Sequence, residues 1–527
     1  MYIWAKPSCY QVFKHTRKWN EETTSLTLHV ARNMTVSGQI CLREVYNAFD
    51  VTALRAENLP EGVTAKTYLT DYITYNDGVP YPDVLSTKGS AHVPMNTTQS
   101  VWFSFTVSKD APVGTHTVRV IVETDLGEYA IDWELKIYPV TLPEPKDSTF
   151  GHEYFLNPFT SFPKDRPSEN PPYTPFYTHV RYDEGWWELM ANFARTLKTI
   201  RVNSLHIPSL VLLADGGSKR VSESEWHLDF SLFDRFVEHF MAHGSFRYLT
   251  IEAIIAAQHG TTIGAIDERG ACITLDIGTP DADAWARAYY GGLYRHFKEK
   301  GWLPMLQMRL QDEPRAIEYW RWARALCREC MPDVPCGEPI DLHSISESLV
   351  GEIDQYVPRF EVYTENKEFY TENKEFYRER QKAGDTVWCY SCCYPYDQGW
   401  LNKFMDWPTI HSRLIKWACF SQDLSGYLHW GFNYWEIGVY GFDPDARFKG
   451  DGFTVYPDAA NNSLMLSARA LNTMDGLQDW ELLNLLRAKD PDAAKKIALG
   501  VAKDFRDLHT DPVALEAARA EVLKRLS

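Results

Sequence analysis

The stretch WLPMLQMRLQDEP, residues 302–314, has the pattern of a strand that leads into a helix. An apolar run ends in two adjacent carboxylates, Asp312 and Glu313, and stops at Pro314. In residues 315–330 apolar side chains then recur at three- and four-residue spacing, which predicts a helix. A strand, a proline at the first helical position and a helix are typical of one βα unit. In parallel barrels the carboxyl ends of the strands form the active site, so these two acids are candidates for catalysis.

The same two acids have a second interpretation. Asp and Glu directly before a helix also serve as N-terminal caps, because the helix dipole favours negative charge there. Buried carboxylates are costly unless they are paired or used in chemistry. From this segment alone, capping and catalysis by Asp312 and Glu313 remain equally open.

The strand-then-helix pattern repeats along the middle of the chain. Amphipathic stretches that predict helices include 184–197, 230–243, 282–300 and 407–422. The stretches that predict strands are 149–156, 199–207, 248–256, 303–311, 334–339, 352–357, 386–392 and 426–432. This alternation predicts a (β/α)8 TIM-type barrel, which we expect to span residues 146–489.

The two ends of the chain differ from this middle part. Residues 1–145 contain alternating stretches such as 101–107 and 115–122 without a long helical pattern, which predicts a β-sandwich. The proline-rich end of this region, from residue 139 onwards, is the expected linker. Residues 490–527 predict a helical tail that packs on the barrel. The predicted fold is therefore multidomain, with an N-terminal β-sandwich followed by the barrel.

A short tandem duplication interrupts the barrel pattern. The heptad YTENKEF at 363–369 is repeated at once at 370–376. Two copies are too few for a coiled coil, so we expect a helical or loop segment on the outside of the barrel.

Composition and charge exclude several classes of protein. The 527 residues carry a net charge of -17, which argues against nucleic acid or an anionic membrane as a partner. No apolar run approaches the length of a membrane span, and the first residues lack the apolar core of a signal peptide. We therefore expect a cytoplasmic protein without membrane insertion, and a trimmed secreted or periplasmic form stays open. No sequence pattern indicates the oligomeric state.

The sequence contains no motif that is typical of a metal-binding or nucleotide-binding site. The chain has 10 cysteines without zinc-binding spacing. Neither the phosphate-binding P-loop pattern nor the glycine pattern of dinucleotide-binding folds is present. We therefore expect no metal and no cofactor.

Aromatic and polar side chains collect near the ends of predicted strands. Aromatic faces can stack on a sugar ring, while amide and hydroxyl groups bind its hydroxyls. Core packing or a structural role is the alternative for each residue taken singly. Gln258 and His259 follow the third predicted strand and could face the same pocket. The candidates for sugar binding are Arg201, Asn203, His206, His259, Trp388, Tyr390, Trp430, Asn433 and Trp435.

Several motifs in this order resemble one enzyme family. They are QDEP at 311–314, WCYSCCYP at 388–395, GYLHWGFNYW at 426–435, GDGFTVYP at 450–457 and SARALNTMDGLQDWELL at 467–483. Over nearly its whole length the chain resembles glycoside hydrolase family 123 and its DUF4091-type relatives. The resemblance implies an exo-acting β-N-acetylgalactosaminidase whose substrate is a glycan or glycoconjugate. It further implies retention by substrate-assisted catalysis through an oxazoline, with Glu313 as general acid/base and Asp312 orienting the 2-acetamido group.

Adjacent carboxylates fit that mechanism on physical grounds. Most glycosidases place two carboxyl groups on opposite sides of the scissile bond, which neighbouring residues can hardly do. A neighbouring acetamido oxygen can replace the missing nucleophile. Because successive strand residues point to opposite faces, the strand must end or bulge at Asp312 for both side chains to reach one pocket.

Two kinds of alternative function remain open at this stage. A β-N-acetylglucosaminidase, or another exo-glycosidase, would use the same barrel and the same acids. A non-catalytic carbohydrate-binding protein would use the carboxylates only to hold sugar. Turnover of aryl glycosides separates the enzymes from the binding protein.

Overall fold

The computed structural model of the protein describes residues 1–19, 22–159, 176–364, 373–397 and 399–527. The chain forms two compact units. We call one the strand-rich unit, which holds residues 1–144, 396–423 and 431–527. The other, the parallel-sheet unit, holds residues 145–395 and 424–430. The central part of the duplicated heptad, 365–372, lies outside the described residues.

The N-terminal part of the strand-rich unit consists of strands joined by short turns. They are β1 (Tyr2–Pro7), β2 (Thr27–Arg32), β3 (Met34–Arg43), β4 (Phe49–Glu57), β5 (Val63–Thr74), β6 (Pro80–Ser86), β7 (Ala91–Val93), β8 (Thr98–Val107), β9 (Gly114–Thr124) and β10 (Gly127–Thr141). Neighbours in one sheet are β1, β3, β8, β5 and β6, and neighbours in the other are β2, β10, β9, β4 and β7. The predicted strand-rich character of this region is therefore confirmed.

The apolar residues of these strands meet between the two sheets. Trp133 of β10 is fully buried, and its ring lies edge-on against Phe103 of β8 with the ring centroids 5.7 Å apart. The same indole contacts Phe105 of β8 at 6.5 Å. A Cβ at Gly38 of β3 would lie 2.9 Å from the Trp133 ring, so this position requires glycine. Alternation along each strand thus supplies a core that both sheets share.

The parallel-sheet unit alternates short strands with helices. Its strands are β11 (Gly151–Tyr154), β12 (Ser204–Ile207), β13 (Lys219–Arg220), β14 (Trp226–His227), β15 (Tyr248–Ile251), β16 (Thr262–Ile266), β17 (Cys272–Asp276), β18 (Leu306–Met308), β19 (Gly337–Ile340), β20 (Gln355–Pro358), β21 (Thr386–Val387), β22 (Cys389–Ser391) and β23 (Gly426–His429). Its helices are α1 (Glu184–Thr199), α2 (Ser209–Gly216), α3 (Ser231–His243), α4 (Pro280–Glu299), α5 (Ile317–Cys330), α6 (His343–Ser348), α7 (Phe360–Thr364) and α8 (Lys374–Lys382).

Helix starts follow from local sequence. The Asp183 side chain accepts a hydrogen bond from the Trp186 backbone N–H at the start of α1. The Thr279 hydroxyl caps α4 in the same way, and Pro280 occupies its first turn. A side-chain acceptor satisfies one of the backbone donors that a helix start leaves unpaired, which is why both helices begin where they do.

Parallel pairing organises the main strands of this unit. One sheet has the order β18-β15-β12-β11-β23-β22, and a second has the order β19-β20-β21. Single parallel bridges join Met308 to Cys336 and Arg359 to Tyr390. Every predicted barrel strand overlaps an observed strand, and the observed strands are shorter than the predicted stretches. In 303–311, for example, Leu303–Met305 forms a 3-10 turn and regular pairing covers only β18.

The C-terminal part of the chain belongs to the strand-rich unit. It forms α9 (His411–Ser421), β24 (Val455–Asp458), β25 (Ser463–Ser467), α10 (Ala468–Lys489), α11 (Pro491–Val501) and α12 (Pro512–Leu526). β25 pairs with β6, and α12 packs against β2 and β10. The predicted division into a barrel at 146–489 and a tail packed on it at 490–527 differs from these observed units.

Buried ion pairs join α9, α10 and α12 to one another. Arg413 Nε of α9 donates to Asp479 Oδ2 of α10 over 2.6 Å, and both side chains are fully buried. Arg519 of α12 also pairs with Asp479, and it donates to Asp475 Oδ1 over 3.1 Å. Amphipathic periodicity indicates which face of a helix is buried but not its partner, so the sequence pattern could not predict this grouping.

Candidate active site

Asp312 and Glu313 lie in a bend that follows β18. Regular strand pairing ends at Met308, so strict alternation no longer sends the two carboxylates to opposite faces. Glu313 has a backbone φ of +46°, in the left-handed region that residues with a Cβ seldom adopt. Both residues are half-buried. The condition drawn from the sequence, that the strand ends before the pair, is met.

Two neutral side chains hold the Glu313 carboxylate. Gln258, in the loop after β15, donates from Nε2 to Glu313 Oε2 over 3.0 Å. The Tyr390 hydroxyl of β22 donates to Glu313 Oε1. Each Glu313 carboxylate oxygen therefore accepts one hydrogen bond, one from the loop after β15 and one from β22.

Asp312 experiences a different environment from its neighbour. Burial of its carboxyl group and the nearby Glu313 carboxylate raise the pKa of Asp312 to about 7, while the Arg309 guanidinium opposes this rise. Near neutral pH, Asp312 is therefore divided between its acid and carboxylate forms. Such a group can hold a proton or accept a hydrogen bond within the physiological range.

The buried guanidinium of Arg309 lies near Asp312. Arg309 donates to Glu153 Oε2 of β11 over 2.7 Å, and both side chains are buried. It also donates to Gln355 Oε1 of β20 over 2.9 Å. Its guanidinium carbon lies 6.0 Å from the ring centroid of Trp388. Arg309 thus joins three strands and supplies positive charge near Asp312.

A second buried acid fixes the backbone just before the pair. Glu338 Oε1 of β19 accepts hydrogen bonds from the Leu310 backbone N–H over 2.7 Å and from the Trp320 indole N–H over 3.1 Å. Burial raises the pKa of Glu338 to about 7, against the opposing charge of Arg309. This carboxylate takes the place of a strand partner for residue 310.

Some residues predicted to bind sugar lie on other strands and loops of the unit that carries the acid pair. Tyr390 contacts Glu313 directly. His206, on β12, is buried and stacks on Phe155 with centroids 4.8 Å apart, and burial together with Arg309 lowers its pKa to about 3. His259 is exposed beside Gln258, and Trp430 is half-buried directly after β23. Gln258, next to His259 in the chain, makes the hydrogen bond to Glu313.

Other predicted residues have structural surroundings in the same unit. Arg201 and Asn203 precede β12, so they lie at the amino end of that strand. Asn203 accepts from the His152 backbone N–H over 2.8 Å and donates to the Phe150 carbonyl over 3.0 Å, which ties chain segments together. These hydrogen bonds give Asn203 a structural role, while the sugar contacts of Arg201 and Asn203 stay a prediction.

Trp388 belongs to the core of the parallel-sheet unit. Its exposed fraction is 1%. A Cβ at Gly151 of β11 would lie 1.9 Å from the indole, and one at Gly426 of β23 would lie 2.3 Å away. The ring therefore fills space above two strand glycines, which favours the core-packing alternative, and the role of Trp388 as a sugar platform stays a prediction.

Asn433 and Trp435 are assigned to the strand-rich unit, whereas Asp312 and Glu313 are assigned to the parallel-sheet unit. Both side chains are buried, at 1% and 2% exposure. The Trp435 indole donates to the Val455 carbonyl over 2.7 Å, and Asn433 forms a β-bridge with Phe453. Burial and these partners favour a structural role for both residues, and their contact with sugar stays a prediction.

The sequence places Gln258 near the predicted pocket but not among the candidate sugar ligands, and it does not point to Arg309 or Glu338 as site residues. A signal existed for the last two, since each is a charged residue inside a predicted buried strand. Within the described ranges, no three His, Cys, Asp or Glu side chains lie together as metal ligands. Among the helices the structure describes, none has the length and apolar character to cross a bilayer.

The family-wide sequence model for the glycoside hydrolase 123 catalytic domain matches residues 179–486. The structure is similar to that of a family 123 glycoside hydrolase from Clostridium perfringens, solved in a study of glycolipid glycan hydrolysis. That likeness has a TM-score of 0.75 and 15% sequence identity, and it covers 100% of this chain and 98% of the other. No curated protein sequence matches the chain significantly.

Other solved structures are much less similar. A family 10 xylanase with a bacterial Ig-like domain from termite gut has a TM-score of 0.34 and 8% identity, covering 87% of this chain and 100% of that one. A family 5 glycoside hydrolase from Bacteroides vulgatus has a TM-score of 0.32 and 12% identity, covering 57% and 64%. TM-scores this low support no conclusion about fold or function. The match to the family 123 sequence model, in contrast, spans more than half of the chain. The chain therefore belongs to glycoside hydrolase family 123 and is a glycoside hydrolase.

Proposed function

We propose that this enzyme removes terminal β-linked N-acetylgalactosamine from glycans or glycoconjugates, with retention of configuration and by substrate-assisted catalysis. One observation carries the proposal. Adjacent acids, Asp312 and Glu313, share a bend at a strand end, and their environments differ, since only Glu313 is held by two neutral donors. Titratable pairs in unlike environments are typical of acid/base roles.

The first step forms an oxazoline. The acetamido oxygen of the substrate attacks the anomeric carbon as the glycosidic C–O bond breaks, and Glu313 gives its proton to the leaving oxygen. The Asp312 carboxylate accepts a hydrogen bond from the acetamido N–H and balances positive charge on the forming ring. The pKa of Asp312, raised to about 7, allows the carboxylate form near neutral pH.

The second step restores the enzyme. The Glu313 carboxylate takes a proton from water, and the water oxygen attacks the anomeric carbon and opens the oxazoline ring. Two inversions at one carbon give net retention. Glu313 is protonated again and ready for the next turnover.

The proposed architecture is an N-terminal β-sandwich followed by a (β/α)8 barrel. The bridges Met308–Cys336 and Arg359–Tyr390 support closure, since they join the two parallel sheets. The Arg309 side chain also supports it, because it reaches Glu153 of β11 and Gln355 of β20 from the end of β18. A closed barrel brings the carboxyl ends of all its strands around one pocket.

The proposed sugar contacts are Tyr390, His206, His259 and Trp430, which lie on or beside strands of the unit that holds the acids. Burial keeps His206 neutral, with a pKa of about 3, so its imidazole acts as a hydrogen-bonding group rather than a cation. The relative studied with glycolipid glycans supports a glycoconjugate as the substrate class.

A panel of nitrophenyl glycosides tests the proposal. We expect hydrolysis of the β-N-acetylgalactosaminide and none of the β-galactoside, which lacks the acetamido nucleophile. An N-acetylgalactosamine thiazoline, a mimic of the cyclic intermediate, should inhibit. Preference for the β-N-acetylglucosaminide would reassign the sugar, and comparable cleavage of the plain galactoside would overturn the mechanism.

A further inference from the structure

We propose that Gln258 is a positioning residue that makes Oε1 of Glu313 the oxygen that carries and delivers the catalytic proton. This inference rests on the proposed function, since it concerns the general acid of that reaction. It adds a residue and an atom-level assignment that follow from the hydrogen bonds around Glu313.

Gln258 uses three different groups to hold the segment that carries the acids. Its backbone N–H donates to the Asp312 carbonyl over 2.9 Å. Its backbone carbonyl accepts from the Arg315 N–H over 3.1 Å and from the Ala316 N–H over 3.3 Å. Its side-chain Nε2 donates to Glu313 Oε2 over 3.0 Å. The residue is therefore fixed on both sides of the acid pair.

The backbone at both residues is held in an uncommon conformation. Gln258 has a φ of +58° and Glu313 a φ of +46°, and neither is a glycine. Residues with a Cβ remain in the left-handed region only when surrounding contacts determine it, and such positions cluster at functional sites. The reciprocal hydrogen bonds between the two segments supply those contacts.

The chemistry of the carboxamide decides which Glu313 oxygen is protonated. The Gln258 Nε2 group can only donate a hydrogen bond, so it pairs with an oxygen that has a free lone pair and no proton. Oε2 is therefore the carbonyl oxygen of the protonated acid. The Tyr390 hydroxyl at Oε1 can donate or accept, so it tolerates either form. The proton accordingly leaves Oε1 for the glycosidic oxygen and returns to Oε1 from water.

Gln311 provides a matched control for the loop that carries Gln258. Its Nε2 donates to the Gln258 carbonyl over 3.1 Å and to the Ala256 carbonyl over 2.9 Å. Gln311 thus supports the same loop without a hydrogen bond to Glu313. A variant that only loosens the loop can therefore be separated from one that releases the acid.

The test compares Gln258→Met with Gln311→Met on two substrates, a β-N-acetylgalactosamine disaccharide and nitrophenyl β-N-acetylgalactosaminide. Misplacement of a catalytic group costs up to roughly 100-fold, so we expect Gln258→Met to lower kcat on the disaccharide by roughly 10- to 100-fold with KM little changed. On the activated aryl substrate, which needs little acid assistance, the loss should stay below about 3-fold. Gln311→Met should affect both substrates equally.

A second variant covers the case in which Gln258→Met does not fold. Gln258→Asn keeps a residue that tolerates positive φ but shortens the side chain, so it should give the same leaving-group dependence. Equal losses on both substrates in either folded Gln258 variant, or the same dependence in Gln311→Met, would overturn the inference alone. A wild-type enzyme inactive on both substrates would overturn the proposed function and this inference together.

Discussion

Replacement of Arg309 by methionine tests the electrostatic design of the site. The guanidinium is bound to Glu153 over 2.7 Å, and the side chains of the two residues are 3% and 0% exposed. Removal of one partner of a buried ion pair costs about 3–5 kcal/mol, because an uncompensated charge stays behind. We expect Arg309→Met to lower the free energy of unfolding by that amount.

The double variant Arg309→Met/Glu153→Gln separates charge burial from packing. Replacing both charges leaves no unpaired ion, and such exchanges are often close to neutral. We therefore expect the double variant to regain much of the lost stability in a denaturant titration. Equal destabilisation of the single and double variants would refute the reasoning, since it would place the loss in packing against Trp388 and Gln355 rather than in charge.

The same substitution has a separate signature in the pH profile. Arg309 opposes the rise in the pKa of Asp312, which stands at about 7. Without the cation this pKa rises further, so the acid form persists to higher pH. Because the mechanism needs the Asp312 carboxylate, the acidic limb of the kcat/KM profile should move to higher pH in both Arg309 variants. An unmoved limb in folded enzyme would contradict the role of Arg309 in setting the charge of Asp312.

Three further predictions follow from the site and the core. Glu313→Gln should slow hydrolysis of a natural disaccharide by roughly 100-fold or more, with a smaller loss on an activated aryl glycoside, as measured by initial rates. For the wild type, the Asp312 carboxylate that the mechanism needs forms as pH rises through the Asp312 pKa of about 7, so kcat/KM should fall as pH drops below that value, and a profile that stays flat well below neutral pH would count against it. Gly426→Ala should destabilise by about 1–3 kcal/mol, because its Cβ would lie 2.3 Å from the Trp388 ring, whereas Gly89→Ala, whose Cβ meets open space, should be neutral in thermal unfolding.

Local sequence patterns predicted the elements of the fold well. All eight predicted barrel strands coincide with observed strands, because apolar runs bounded by helical periodicity are a local signal. The observed strands are shorter than the apolar runs that predicted them. A residue belongs to a strand only where its backbone pairs with an adjacent strand, and apolar character alone does not show where that pairing ends. The bend at Asp312–Glu313 was likewise foreseen, because two adjacent side chains cannot share one face of a regular strand.

The sequence pattern could not predict which residues pair over long separations in the chain. Arg309 and Glu153 are 156 positions apart, and Arg413 and Asp479 are 66 apart, so no local period relates them. These buried pairs tie together elements that pattern recognition treats separately. The predicted boundaries at 146–489 and 490–527 therefore differ from the observed units.

The aromatic candidates show a related ambiguity. Trp388 and Tyr390 are two positions apart in one predicted strand, which would give them the same face. In the structure, Trp388 is packed over glycines while the hydroxyl of Tyr390 reaches Glu313. An aromatic ring suits both a core and a sugar platform, so composition cannot separate the two. The position of Gly151 and Gly426 on neighbouring strands decides the outcome, and this depends on the folded register.

The most direct test of the proposed mechanism varies the nucleophile within the substrate. Nitrophenyl β-galactosaminides with acetyl, fluoroacetyl, difluoroacetyl and trifluoroacetyl groups on nitrogen differ mainly in the nucleophilicity of the amide oxygen. If that oxygen attacks the anomeric carbon while Asp312 holds the N–H, kcat/KM should fall steeply with each added fluorine. Rates that do not depend on fluorine number, or a covalent glycosyl-enzyme trapped on a carboxylate, would contradict substrate-assisted catalysis.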